Sequence, residues 1–175
     1  KKNYFRLALK APGISRGSLP GQFLNIKVND ADEPLLRRPL SIHRTEGSDI
    51  ELLYEVVGPA TEILSRRSSA EYLDILGPLG NGFSLMGNRQ PLLVGGGMGV
   101  APLFFWAEKL KRMKPQVLIG AATGSKILCE KEFKDLGCEV KVSTDDGSKG
   151  FKGKVTGLLK YLLSGIGHRA SGIYA

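Results

Sequence analysis

Apolar and polar positions alternate with a period of two through the first half of the chain. In the second half they give way to short apolar runs, each followed by a helical stretch. Tyr4–Lys10 reads as a strand with Leu7 and Leu9 on one face, and Pro12-Gly13 and Pro20-Gly21 read as turns. Phe23–Val28 is a second strand, in which Leu24, Ile26 and Val28 alternate with Asn25 and Lys27. After an acidic loop over Asn29–Pro34, strands follow at Leu36–Arg44 and Ile50–Val57, then a short helix over Thr61–Arg66 and a strand at Tyr72–Leu76 closed by Gly77–Phe83. Short strands joined by Gly/Pro turns predict a small antiparallel barrel.

From about Gly87–Gln90 the rhythm changes. Strand Leu92–Val94 leads to a helix over Pro102–Met113 that Pro115 ends. Val117–Ala121 leads to a helix over Ile127–Leu136 with Gly137 as its cap, and Glu139–Ser143 leads through a long polar loop to a helix over Thr156–Leu163. Ile173–Ala175 reads as the opening of one more strand. Strands alternating with helices predict a doubly wound parallel sheet. The expected fold is β plus α/β: an antiparallel barrel domain at 1–87 and an α/β domain at 88–175.

Composition narrows the function. The chain has 175 residues, enough to bury a core without staples, and its charge is 25 − 17 = +8. That basicity is scattered. The densest segments, Arg66–Arg67 and Lys109–Lys114, are short and lack interleaved aromatics, so no nucleic-acid partner is expected. No apolar run reaches membrane-spanning length and no signal-peptide pattern opens the chain. Two cysteines, Cys129 and Cys138, make neither a disulfide framework nor a zinc site, which points to a reducing, cytoplasmic setting.

The sequence Leu92–Leu103, LLVGGGMGVAPL, carries the first chemical signal. An apolar strand, a glycine turn and a helix opening with Pro102 can hold a pyrophosphate on backbone N–H groups. The same glycines also fit a tight turn that binds nothing. Parallel sheets bind ligands at the carboxyl ends of their strands, where Gly95–Ala101, Ala122–Lys126 and Thr144–Lys149 converge. Thr123, Ser125 and Lys126 suit a ribose or phosphate. Asp145 and Asp146 suit ribose hydroxyls and repel a 2′-phosphate, favouring NAD over NADP, although Asp before Gly147 is also a turn former.

In the first half, Arg37-Arg38-Pro39-Leu40-Ser41 offers guanidinium forks to a second pyrophosphate or to solvent. Ala60-Thr61 opens a helix, as a phosphate-facing turn or as a plain cap. His43 and His168 have no nucleophile at a triad-like spacing and read as structural or solvent-facing; Phe104-Phe105-Trp106 reads as packing.

In order along the chain stand RRPLSI (Arg37–Ile42), LLYEVVG-x-x-T (Leu52–Thr61), GPLGNGF (Gly77–Phe83), LLVGGGMGVAPL and TDDGSKGFKGKVT (Thr144–Thr156). Together they resemble the ferredoxin reductase-like flavoproteins, and among these the electron-transfer subunits of class 1B dihydroorotate dehydrogenases. The resemblance implies an FAD-binding barrel and an NAD-binding domain that pass electrons from NADH through FAD toward an iron–sulfur centre. It implies that Arg38, Pro39, Leu40 and Ser41 contact FAD, with Arg38 facing the pyrophosphate and the Leu40–Ser41 backbone and the Ser41 hydroxyl near the isoalloxazine. Leu53, Tyr54 and Glu55 form a second flavin segment and Ala60 and Thr61 a third, while Gly96, Gly97 and Gly99 hold NAD(H). Glu55 stands where a basic residue is common, and Ala60 where glycine is usual. The family's 2Fe-2S cluster is expected, but its cysteine ligands are not in this sequence, so the C-terminal iron–sulfur module is read as missing. The implied partner is a dihydroorotate dehydrogenase catalytic subunit in a heterotetramer of pyrimidine biosynthesis. A stand-alone NAD(P)H–flavin or ferredoxin oxidoreductase and a nucleotide-sensing regulatory subunit are the alternatives.

Overall fold

The computed structural model describes residues 3–31, 33–88, 90–164 and 172–175. The polypeptide divides into two compact units after Gly82.

The first unit is an antiparallel sheet of β1 (Tyr4–Lys10), β2 (Phe23–Lys27), β3 (Arg38–Glu46), β4 (Asp49–Glu55) and β5 (Asp74–Leu79), in the order β1-β4-β3-β2-β5. Alternation sends Leu24 and Ile26 of β2, Ile42 of β3, and Ile50 and Leu52 of β4 into a core from which water is fully excluded. Between Ile42 and Arg44 the ladder slips by one residue, a β-bulge that bends β3. The extra residue is His43, which is completely buried. At Gly77 a Cβ would collide with the Leu24 side chain, so only glycine lets β5 lie this close to β2.

Two helices flank the sheet, α1 (Pro12–Gly17) and α2 (Pro59–Ser65). The Pro12-Gly13 turn expected from sequence is instead the start of α1, with proline in its favoured first-turn position. Ser15 Oγ fixes that helix by donating to Gly47 O (3.0 Å) and Asp49 O (3.3 Å). Val28 falls outside β2. Its carbonyl accepts from the Arg67 guanidinium, with Nη2 at 2.7 Å, in place of a ladder partner. The strand expected from Tyr72 begins only at Asp74, leaving the Tyr72 ring in solvent. Among the described residues β1 pairs only with β4 and β5 only with β2. A groove of about 420 Å³ runs beside these free edges, lined by Leu7, Leu9, Arg67, Leu73 and Ile75.

The second unit is a parallel sheet of β6 (Leu92–Gly96), β7 (Gln116–Ala121), β8 (Glu139–Thr144), β9 (Phe151–Lys152) and β10 (Ile173–Tyr174), in the order β10-β6-β7-β8-β9. β6 and β7 are nearly continuous apolar runs because helices cover both faces. On one face α5 (Val155–Ser164) packs Leu158 and Val155 on Leu92, Val94 and Leu118. On the other, α3 (Val100–Leu110) sets Leu103 against Gly95. α4 (Glu130–Asp135) packs on β8.

α4 is shorter than the helix expected from Ile127, because Cys129 adopts a left-handed conformation (φ 58°) and the chain turns there. β9 lies inside the polar loop after β8, where its two residues carry too little pattern to be read from sequence. His168 lies outside the described residues.

Truncating a core side chain leaves a cavity that the sheet cannot collapse into. Leu118→Ala should cost about 3 kcal/mol in urea unfolding. Leu7→Ala, at the half-buried free edge, should cost about 1 kcal/mol. Equal losses would show that the edge residue is as enclosed as the core one.

Candidate functional site

In the first unit, β3 and β4 run antiparallel with Ile42 opposite Leu52. The start of β3 and the end of β4 therefore lie at the same end of this pair. Residues Arg38–Ser41, Leu53–Glu55 and the first turn of α2 gather there. The two adjacent arginines have different fates. Arg37 donates from Nη1 to Asp74 O (3.0 Å) and forms an ion pair with the Asp74 carboxylate, whose pKa this hydrogen bond lowers. Arg38 is half-buried opposite Ile26 and makes no ion pair among the described residues. A guanidinium in that state is free to meet an anion with its planar fork.

Pro39 is exposed, while Leu40 and Ser41 are half-buried opposite Leu24 and Phe23. On β4, Leu53 and Tyr54 are buried. The Tyr54 ring stacks on Phe5 at 5.8 Å, and burial raises its phenol pKa. Glu55 faces Tyr4, whose pKa rises through burial first and then through the charge and hydrogen bond of Glu55.

Ala60 and Thr61 are buried in the first turn of α2. Thr61 Oγ1 accepts from the N–H groups of Val57 (3.0 Å) and Gly58 (3.2 Å) and donates to Gly58 O (3.0 Å). Its hydroxyl is therefore committed to the turn, which leaves only backbone N–H groups to face a ligand.

In the second unit, the glycines after β6 do two different things. A Cβ on Gly95 would lie 2.9 Å from both Leu103 Cδ1 and Val100 Cγ1, so this glycine exists to let α3 pack. Cβ atoms on Gly96, Gly97 and Gly99 would meet nothing within 4 Å. Gly97 sits at φ +53° and opens a single 3-10 turn, Gly97–Gly99, that runs straight into α3 at Val100. The helix thus starts before Pro102. What results is a backbone concavity with room on its open side, set at a helix start where N–H groups lack partners. Its shape and chemistry fit a pyrophosphate.

Two further loops share that carboxyl edge, since Gly96 pairs with Gly120 and Ala121 with Thr144. Thr123 Oγ1 and Ser125 Oγ lie 2.8 Å apart. Gly124 N–H donates to Ser148 Oγ (2.8 Å), which joins the second loop to the third. Asp146 Oδ1 accepts from Ser148 Oγ (2.6 Å) and Ser148 N–H (2.9 Å), and these bonds lower its pKa. Asp145 is exposed, with its N–H donated to Ala121 O (3.1 Å). Behind the loop, Glu130 pairs with Lys134 and Lys149, and these bonds lower its pKa.

Sequence reasoning did not single out Ser148 or Glu130. The Asp-x-Ser spacing of an Asx turn was a signal for Ser148, but the Glu130–Lys149 pair spans 19 positions and had none.

No group of three or more metal-ligating side chains occurs among the described residues. Cys129 and Cys138 are buried, and burial pushes the Cys138 thiol up to about 11. They do not fit the ligand set of an iron–sulfur cluster, which needs thiolates. His43 lies 3.7 Å from the Glu51 carboxylate. No helix among the described residues is long and apolar enough to cross a membrane.

No family model matches the chain. It is 42% identical over 164 residues to the electron transfer subunit of dihydroorotate dehydrogenase B (NAD(+)) from Desulforamulus reducens, covering 90% of this chain and 62% of that protein. To the subunit of the same name from Fusobacterium nucleatum it is 36% identical over 168 residues, covering 92% and 64%. The chain thus spans less than two-thirds of the curated relatives it matches.

Among solved structures, it superposes on an NADH-dependent reduced ferredoxin-NADP oxidoreductase with a TM-score of 0.82 and 30% identity, covering 98% of this chain and 63% of that one. An Amycolatopsis cytochrome P450 reductase gives a TM-score of 0.78 at 21% identity, covering 98% and 57%, and speaks to the fold alone. The fold is that of the ferredoxin reductase-like flavoproteins. The sequence resemblance extends over nine-tenths of the chain.

The two kinds of glycine predict opposite outcomes. Gly96→Val should leave the melting temperature unchanged, because its side chain enters open space. Gly95→Ala should cost about 2 kcal/mol of stability through overpacking. Glu130 provides a pH test. Its folded pKa is lowered, so its contribution is present above the unfolded carboxylate value and is lost as pH falls through the folded one. Glu130→Gln should therefore cost about 1 kcal/mol at pH 7, with variant and unaltered protein converging in acid.

Proposed function

We propose that this chain is the FAD- and NAD-binding part of an electron-transfer subunit of the dihydroorotate dehydrogenase B type. It takes reducing equivalents from NADH and delivers them to a catalytic subunit, with which it forms a heterotetramer in the cytoplasm for pyrimidine biosynthesis. The observation that carries the reading is the concavity of Gly96, Gly97 and Gly99 at the start of α3, whose glycines leave open space where side chains would project.

Bound FAD supplies the change from accepting a two-electron hydride to releasing electrons singly. The protein's part is placement. Arg38 holds the FAD pyrophosphate by charge-assisted hydrogen bonds, and the backbone N–H groups at the start of α2 add to it. Leu40, Ser41, Leu53 and Tyr54 line the flavin. Glu55, bonded to Tyr4, closes the end of β4. The N–H groups of the 3-10 turn and α3 hold the NADH pyrophosphate. Asp145, at the end of β8, accepts from ribose hydroxyls and disfavours a 2′-phosphate. Hydride transfer needs alignment more than proton-transfer groups, which suits a site without an acid–base pair. The two cysteines do not fit an iron–sulfur cluster, so no electron path through one is assigned to these residues.

Anaerobic titration of the FAD-loaded protein with NADH is the test. Flavin absorption should bleach, and NADPH at the same concentration should bleach it far more slowly. A protein that binds no FAD overturns the reading. Fast turnover with a soluble acceptor and no partner subunit would identify a stand-alone reductase instead. Arg38→Ala should weaken FAD binding about thirtyfold, equivalent to about 2 kcal/mol, by removing charge-assisted hydrogen bonds. Arg37→Ala, whose guanidinium is held by Asp74, should change it less than about threefold.

A further inference from the structure

We propose that Tyr174 is a positioning residue for the dinucleotide concavity, acting through α3; this rests on the reading of that concavity as the NADH site. Tyr174 is nine-tenths buried on β10, next to β6. Its hydroxyl is doubly engaged, donating to Ser84 O (3.1 Å) and accepting from Met86 N–H (2.8 Å). These two bonds fix the backbone of the segment that leads into β6. Gly172 makes room for it, since a Cβ there would lie 3.2 Å from Met86 Cε and from Tyr174 Oη.

The fixed segment carries Phe83, whose ring sits edge-on to Tyr174 at 6.0 Å and tilted against Trp106 at 6.1 Å. Trp106 also meets Tyr174 edge-on at 5.7 Å. Three aromatic rings therefore contact one another around a single phenol.

Trp106 belongs to α3, the helix that rises from Gly97–Gly99. α3 is held at its first turn by Gly95 and along its length by Phe104 against Phe133 (5.3 Å) and by Trp106 in the aromatic box. Ligand-facing N–H groups at a helix start move with the helix as a body. A slide of α3 along β6 would carry them away from where β6 presents Gly96. The Gly95 contact resists closer approach but not sliding. The aromatic box supplies the lateral hold, and the Tyr174 hydroxyl keeps Phe83 in place within it.

The test uses the full-length, FAD-loaded protein with Tyr174→Phe, which keeps the ring and removes the hydroxyl. Stopped-flow flavin bleaching against NADH concentration gives a half-saturating concentration and a limiting rate. The former should rise three- to tenfold and the latter stay within twofold, with FAD content unchanged. Trp106 is the sole tryptophan, so its emission should shift in the same variant.

Phe83→Leu keeps the hydroxyl but removes the ring against Trp106, and it should raise half-saturation as well. Tyr161→Phe, on α5, should change neither readout. A lowered melting temperature with unchanged half-saturation in both Tyr174→Phe and Phe83→Leu overturns the proposal while the NADH site stands. If the unaltered protein neither binds NADH nor bleaches with it, the functional reading fails and this proposal fails with it. Should Tyr174→Phe not fold, Phe83→Leu decides alone.

Discussion

The close approach of α3 to β6 at Gly95 is the constraint on which the second unit depends. Any side chain there would push against Leu103 and Val100 and lift the first turn of the helix off the strand. With hydrogen alone in that place, the strand can end, turn and become helix within a few residues. The unpartnered amides of the helix start are then held above the carboxyl edge of the sheet. The remaining glycines are free to be small for a different reason. They keep the same spot open.

The first unit reaches a comparable end by other means. A bulge at His43 bends β3, and the register that follows brings the start of β3 and the end of β4 to one place. Asp74 neutralises one arginine of the adjacent pair, and the other, Arg38, makes no ion pair among the described residues. Charge is thus sorted within two residues of sequence. Similar sorting occurs at the edge of the parallel sheet, where Glu130 neutralises Lys149 and Ser148 orients Asp146, leaving Asp145 exposed.

How much of this was legible from sequence depended on the range of the interaction. The Gly95–Gly99 turn could be read because everything that defines it is local: an apolar strand before, a helix after, glycine between. Strand Tyr4–Lys10 was legible for the same reason. Which of Arg37 and Arg38 is free could not be read, since the deciding carboxylate, Asp74, is 37 positions from Arg37. Nor could Gly95 be told from Gly96, because the difference lies in which face of β6 a helix covers. Helix α1 was hidden behind Pro12-Gly13, a pair that begins helices as well as turns. Thr61 could be read as a phosphate-facing turn or a plain cap; it is neither an N-cap nor free, since Gly58 caps α2 and the Thr61 hydroxyl reaches back to it from the third helical position. β9 was too short to carry a pattern at all.

The free edges of β1 and β5 bear on how the molecule behaves in company. A strand with one unpaired side presents a row of backbone donors and acceptors that any other extended chain can complete, whether from a neighbour, a misfolded copy or a growing aggregate. On β1 Arg6 is already paired with Glu51 of β4 (3.3 Å), so it is Lys10 that sets positive charge against a second such edge on an otherwise apolar strand. Electrostatic repulsion of this kind weakens as salt screens it. The resistance of this edge to self-association is therefore tied to ionic strength through the exposed Lys10.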